Sequence, residues 1–497
     1  MKKLVWLVLL LSAIAPAEVK LPAILSDGMV LQRDLPLHFW GMAAPREHVT
    51  VTFLKQSGSS TADSLGHWNV YLAPVSAGGP YEVTIQGATN KIVLRDVLVG
   101  DVWVASGQSN MEFAMRQLAD ADKEIAAANL ANVRLLMVNR TSSEYPLSDA
   151  STNGWLHCTP ESVRDFSAVA YYFVREISQK EKVPMGVIAS YWGGTIAESW
   201  TSMDALTSEP ALMPVFAGRA HFMDDREDVT IKQKQEAAAI ADAKQKGLPP
   251  PQFSWHPETE MWRPAALFNA MISPLTPLPI RGVIWYQGES NSMLWRAPYL
   301  YGRQFRDLIE DWRQHWGEGE FPFLYVQIAN FKSTPAEDWP IIREGQRSAL
   351  RLRHTGMAVT IDIGNPDDVH PLDKLDVGHR LALIARATVY GEHIEYSGPI
   401  FRQLTRETNG LRIWFTHVGT GLMVKGPTLT SFEIAGSDGK FVPAEARVDG
   451  DTIVVSSPTV EDPTAARYGW ANSPECNLFN KEGLPASPFD ATLAPFH

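Results

Sequence analysis

Acyl transfer needs a hydroxyl nucleophile, an imidazole to take its proton, a carboxylate to orient that imidazole, and N–H donors for the oxyanion. The chain carries candidates for each. Ser109 sits in "ASGQSNME", directly after the strand-like run "VLVGDVWVAS". Asp367 and His370 sit in "NPDDVHP", where three-residue spacing on a tight loop lets a carboxylate reach the imidazole. The first motif nearly spells Gly-x-Ser-x-Gly, the strained turn that exposes a hydrolase nucleophile, but Met111 stands where the second glycine belongs.

Other residues compete for these roles. Asp362 and Asp368 are alternative carboxylates, though a turn or helix-cap role suits either. Asp362 reads as ending its strand, and Asp368 should point away if Asp367 points in. His379 is a second imidazole, but it lies in the helical pattern "LDVGHRLALIARATVYG" and reads as a packing or capping residue. For the oxyanion, the Ser109 N–H is one donor. Gly193 and Gly194 in "YWGGT" offer backbone that can approach a substrate closely, and Gln287 in "YQGESN" offers a side-chain amide. The polar cluster in "YQGESN", at the end of an apolar strand, costs free energy unless it is paired or used.

Residues this far apart can meet only if the fold gathers strand ends. After Val99, apolar runs alternate with helical patterns: "GDVWVASG", "MGVIASYWGG", "RGVIWYQGES", "FPFLYVQIAN" and "GMAVTIDIG", with "AVAYYFVREISQKEK" and "YLYGRQFRDLIEDWRQHW" between them. That alternation predicts a mostly parallel sheet covered on both faces, with ligands bound beyond the carboxyl ends of its strands. Ser109, the two glycines, Gln287 and the Asp367–His370 loop all follow such ends. Asp224 to Lys246 reads as an inserted, exposed helix closed by "GLPPP".

Residues 18–98 show short alternating strands with turn residues between them, the pattern of a small β-sandwich. Beyond about Tyr396 strands return, with Asn409-Gly410 and Asp449-Gly450 as hairpin signals. The last stretch, "RYGWANSPECNLFNKEGLPASPFDA", reads as a loop wrapping back over another domain. The expected organisation is therefore a leader at 1–17, a β-domain at 18–98, an α/β domain at 99–395 with a helical insertion at 224–251, and a β-rich region at 396–497.

Composition narrows the function. The 497 residues carry a net charge of −12 and no basic tract, which disfavours nucleic acid and anionic membranes as partners. Sixteen tryptophans suit either core packing or stacking on sugar faces. "MKKLVWLVLLLSAIAPA" has a basic start, a short apolar core and a small-x-small end at Ala17, so a signal peptide and a secreted or periplasmic protein are expected. Cys158 and Cys476 could pair or remain free thiols. No Cys/His spacing suggests a metal, and no cofactor is expected.

"SDGMVLQRDLPLHFWG", "VWVASGQSNMEF", "SYWGGTIAESW", "PLPIRGVIWYQGESN", "MAVTIDIGNPDDVHP" and "NLFNKEGLPASPF" together make the chain resemble the sialate O-acetylesterase family, within the SGNH hydrolase superfamily. The resemblance implies a three-layer α/β/α, flavodoxin-like catalytic domain with flanking β-rich domains. It implies Ser109 as nucleophile, His370 as base and Asp367 as its partner, with Ser109, Gly194 and Gln287 as oxyanion donors and Gly193 as the second choice to Gly194. Met111 then needs no glycine, because this superfamily places its serine in a different loop. The implied activity is deacetylation of an O-acetylated carbohydrate, either sialic acid or a plant polysaccharide such as xylan or xyloglucan. Two rival readings are a carbohydrate-binding protein with an inactive hydrolase core and a metal-dependent hydrolase built on "NPDDVH".

Overall fold

The computed structural model describes residues 18–216, 226–251, 253 and 260–493. The expected signal peptide at 1–17 lies outside them. All five predicted apolar runs contribute strands to one parallel array, in the order Thr355–Val359, Phe323–Gln327, Gly282–Tyr286, Lys91–Gly107, Met185–Tyr191, Leu130–Val138. Thr152–Cys158 closes the edge antiparallel to Leu130–Val138. These last two strands were not among the predicted runs. One carries Arg134, buried against Asp96, and the other is a polar, glycine-containing edge strand, so neither shows an unbroken apolar run.

Helices cover both faces of the array. Phe173, on the helix Ala168–Glu181, meets Trp103 edge-on at 5.0 Å. Trp285 is paired with Ser106, three residues along the same strand, and so faces the other way. There it meets Phe305 and Trp312 of the helix Tyr301–Trp316, the latter at 5.7 Å. Seven consecutive buried residues in Met185–Tyr191 follow from this double coverage.

The register sets up the site. Gly107 lies opposite both Tyr191 and Tyr286, so the three central strands finish level with one another. A Cβ on Gly107 would stand 2.1 Å from the Tyr286 carbonyl oxygen, and its φ is +136°. Only glycine lets these strands approach so closely just before the Ser109 turn.

Lys91–Gly107 is a single 17-residue strand. Its first half pairs with Gly78–Gln86 and its second half runs into the parallel array, across the expected boundary at 98/99. One continuous apolar core accordingly runs from Val19 to Ile400. The C-terminal strands hold a separate core from Leu411 to Phe489. Hairpins form at both Asn-Gly and Asp-Gly signals, between Ile400–Glu407 and Gly410–Thr416 and between Glu445–Asp449 and Thr452–Ser456.

The tail does return to the α/β region. The fully buried Arg343 guanidinium donates to the carbonyls of Ala471 and Asn472, both at 2.7 Å, and to those of Ile328 and Ala329. Among the described residues of the insertion there is one helix, Arg226–Gln245. Cys158 and Cys476 are both free thiols, and burial pushes them up to about 11 and about 12.

Candidate active site

Ser109 begins a single helical turn, Ser109–Glu112, immediately beyond the strand Lys91–Gly107. As the first helical residue it has no intrahelical acceptor for its N–H. Met111, which takes the place of the missing glycine, is fully buried core. The turn is therefore anchored by packing and needs no second glycine.

His370 reaches this turn from the loop after Thr355–Val359. Its Nε2 lies 2.8 Å from Ser109 Oγ, across 261 residues of sequence. Both line a cavity of ≈ 820 Å³, with Trp192, Gly193, Gly194, Glu289 and Trp339 among its other walls. Burial holds the imidazole below the usual histidine range. Lys374 adds to this, while Asp368 opposes it.

The carboxylate beside His370 belongs to Asp368, which corrects the expectation for Asp367. Asp368 Oδ1 accepts the His370 backbone N–H at 2.8 Å and lies 3.5 Å from Nδ1. Asp367 turns outward, 81% exposed, with Oδ1 3.4 Å from Lys332 Nζ. The cause is the turn itself. The Asp367 N–H is held by Asn365 Oδ1 at 3.0 Å, and Asn365 and Asp368 form a backbone bridge. Across that turn the two adjacent side chains diverge, and it is Asp368, itself 54% exposed, that is aimed at His370.

The other candidates have structural partners. Asp362 forms a two-point ion pair with Arg380, at 2.6 and 2.8 Å. His379 Nδ1 lies 2.7 Å from Glu176 Oε2, joining two helices.

Among the expected oxyanion donors, Gly194 faces the cavity that holds Ser109 and His370. It lines the cavity at φ +77°, and its N–H has no partner among the described residues. Gly193 is different, because its N–H donates to Glu112 Oε2 at 2.6 Å. Glu112 also pairs with Arg140, so both groups form part of the cavity wall.

Gln287 does not face the cavity, contrary to expectation. Its amide donates to Asn291 Oδ1 at 2.6 Å and to the Thr195 carbonyl at 3.3 Å, and its Oε1 accepts from the Tyr301 hydroxyl at 3.1 Å. It is fully buried. From that position it ties two strand-end loops together. Gln287→Ala should therefore lower stability by about 1–3 kcal/mol, through the partners it leaves unpaired, and change kcat little. Paired melting curves and steady-state kinetics check this. A stable variant with kcat lowered a hundredfold would return Gln287 to the oxyanion hole.

Several site residues escaped the sequence reading. Asn110, Glu112, Arg140, Glu289 and Lys374 carry no spacing that marks them. Asn110 and Glu112 lay within "ASGQSNME" and Glu289 within "YQGESN", but neither motif assigned them a role. Among the described residues no group of three or more His, Cys, Asp or Glu side chains is arranged to hold a metal ion.

Residues 253–385 match the family model of the carbohydrate esterases described as sialic acid-specific acetylesterases. The sialate O-acetylesterase of Mus musculus is 31% identical, over 94% of this chain and 93% of its own length. That of Homo sapiens is likewise 31% identical, over 94% of this chain and 92% of its own. The crystal structure of a carbohydrate acetylesterase from Xanthomonas citri superposes with a TM-score of 0.82 at 38% identity, covering 95% of this chain and 99% of that one. A serine–histidine pair at a cavity and similarity along nearly the whole chain lead to one conclusion: the chain belongs to the sialate O-acetylesterase family and is a carboxylic ester hydrolase.

Proposed function

We propose that the protein removes O-acetyl groups from carbohydrate by serine catalysis on a three-layer SGNH-hydrolase scaffold. The observation that carries this reading is the 2.8 Å contact between His370 Nε2 and Ser109 Oγ at the cavity wall. With Nδ1 protonated toward Asp368, Nε2 is free to accept the serine proton.

Ser109 attacks the acetyl carbonyl while its proton passes to His370. The N–H groups of Ser109 and Gly194 stabilise the oxyanion. Collapse of the tetrahedral intermediate breaks the bond to the sugar oxygen, which takes the proton back from His370. Water then attacks the acetyl-enzyme with the same histidine as base, releasing acetate and restoring Ser109.

Acetate release from O-acetylated sialic acids, xylans and xyloglucans, measured alongside organophosphate labelling of Ser109, tests the proposal. Labelling with deacetylation of at least one sugar supports it. Absence of both would leave a sugar-binding protein with an inactive core. The signal peptide at 1–17 is part of the same proposal, and N-terminal sequencing of the secreted protein should begin at Glu18.

The pH profile is a further expected result. Neutral imidazole is the active form, so kcat/KM should fall on the acid side as His370 gains a proton. Because burial and Lys374 lower its affinity for that proton, the midpoint should lie below the ordinary value of about 6.5. A midpoint above that value would contradict the environment described for His370.

A further inference from the structure

Beneath Ser109 and His370 lies a buried network that the reaction above leaves unused. Asn110 follows the nucleophile and is 1% exposed. Its amide donates to Glu289 Oε1 at 2.6 Å and to the Val369 carbonyl at 3.0 Å, and its Oδ1 accepts from Lys374 Nζ at 2.5 Å. Three chain segments meet at this one side chain: the Ser109 turn, the loop after Gly282–Tyr286, and the His370 loop with the helix Lys374–Thr388 that follows it.

Lys374 is fully buried. Besides Asn110, its ammonium faces aromatic rings, at 4.9 Å from the centre of Phe113 and 5.5 Å from that of Tyr286. The Phe113 ring lies 6.3 Å from that of His370, so the cation stands one ring away from the base. Burying an ammonium is costly, and an apolar side chain of similar length would fill the space more cheaply.

We propose that Lys374 is a positioning residue for the base: through Asn110 it pins the His370 loop to the Ser109 turn, and its positive charge opposes formation of the imidazolium. This rests on His370 being the catalytic base.

The groups facing each partner give the sign. Around His370, Asp368 on its own loop favours the imidazolium, and Lys374, from the helix below, opposes it. Glu112, from the Ser109 turn, shares the cavity wall, but its carboxylate is already met by Arg140 and the Gly193 N–H. Around Lys374, burial brings the ammonium down to about 7, while Glu289, Asp368 and Asp373 favour its charged form. The ammonium that donates to Asn110 Oδ1 is thus also the charge that opposes protonation of His370.

The test uses Lys374→Gln, which keeps an N–H donor for Asn110 without the charge, and Lys374→Arg, which keeps the charge. Two quantities are followed against pH: the His370 imidazole by NMR on histidine-labelled protein, and kcat/KM with 4-nitrophenyl acetate. In Lys374→Gln the imidazole midpoint should rise by about half a pH unit or more, and the acid limb of kcat/KM should rise with it. In Lys374→Arg both should stay near the wild-type position. An unmoved midpoint in Lys374→Gln, or an equal rise in Lys374→Arg, overturns the proposal. A rising midpoint with a stationary kinetic limb upholds the effect of Lys374 on His370 and removes His370 as the base. Should Lys374→Gln fail to fold, Lys374→Met, an uncharged side chain of similar length, replaces it: a risen midpoint supports the proposal and an unmoved one overturns it.

Discussion

Ser109→Ala is expected to lower kcat/KM by at least about 10³-fold and to leave the melting temperature unchanged, because members of a nucleophile–base–carboxylate set act as a unit. The size of the effect follows from chemistry. Without Oγ no acyl-enzyme forms, and what remains is the modest acceleration that oxyanion donors and binding give to direct attack by water. The unchanged stability follows from local structure. The Ser109 hydroxyl has His370 as its hydrogen-bond partner, and alanine is a good helix former at the start of Ser109–Glu112. Calorimetry and steady-state kinetics on the purified variant check both halves. A variant keeping a tenth of the wild-type rate would remove Ser109 from the role of nucleophile.

The second large effect separates two adjacent aspartates. Asp368→Asn should lower kcat by about 10²-fold or more, whereas Asp367→Asn should stay within a few-fold of wild type. Asp368 Oδ1 is within reach of both the His370 backbone N–H and Nδ1. An amide there can offer an N–H to Nδ1, favouring the tautomer whose Nε2 carries the proton and cannot accept another from Ser109. Asp367 has only an exposed ion pair with Lys332 to lose, and such pairs contribute about 0–1 kcal/mol. Equal losses in the two variants would mean that the loop as a whole, rather than one carboxylate, supports His370. A greater loss in Asp367→Asn would mean that the loop rearranges when substrate binds.

The pairing of Ser109 with His370 was legible because its signals are local. Ser109 follows an apolar strand and His370 ends a loop after another, and ligands in parallel sheets gather at such ends. Hairpin turns at Asn409-Gly410 and Asp449-Gly450 were legible for the same reason, since φ and turn type belong to the residues themselves. Spacing alone did not decide between Asp367 and Asp368, because it admits either; the turn held by Asn365 aims Asp368 at His370 and Asp367 at Lys332.

Gln287 shows the same limit from the other side. An amide at a strand end can donate to substrate or to its own scaffold, and the choice depends on which acceptors lie within hydrogen-bonding reach. Here that is Thr195 and Asn291, from two loops brought together by the level ends of Met185–Tyr191 and Gly282–Tyr286. Period and residue type thus suffice for the five apolar strands of the parallel array and the loops that follow them, because they report which faces must leave water, but not for Leu130–Val138 with its buried Arg134. Where Gln287 finds Thr195 and a buried Lys374 finds Asn110 depends on hydrogen bonds between segments 92 and 264 residues apart, and those partners exist only once the sheet has formed.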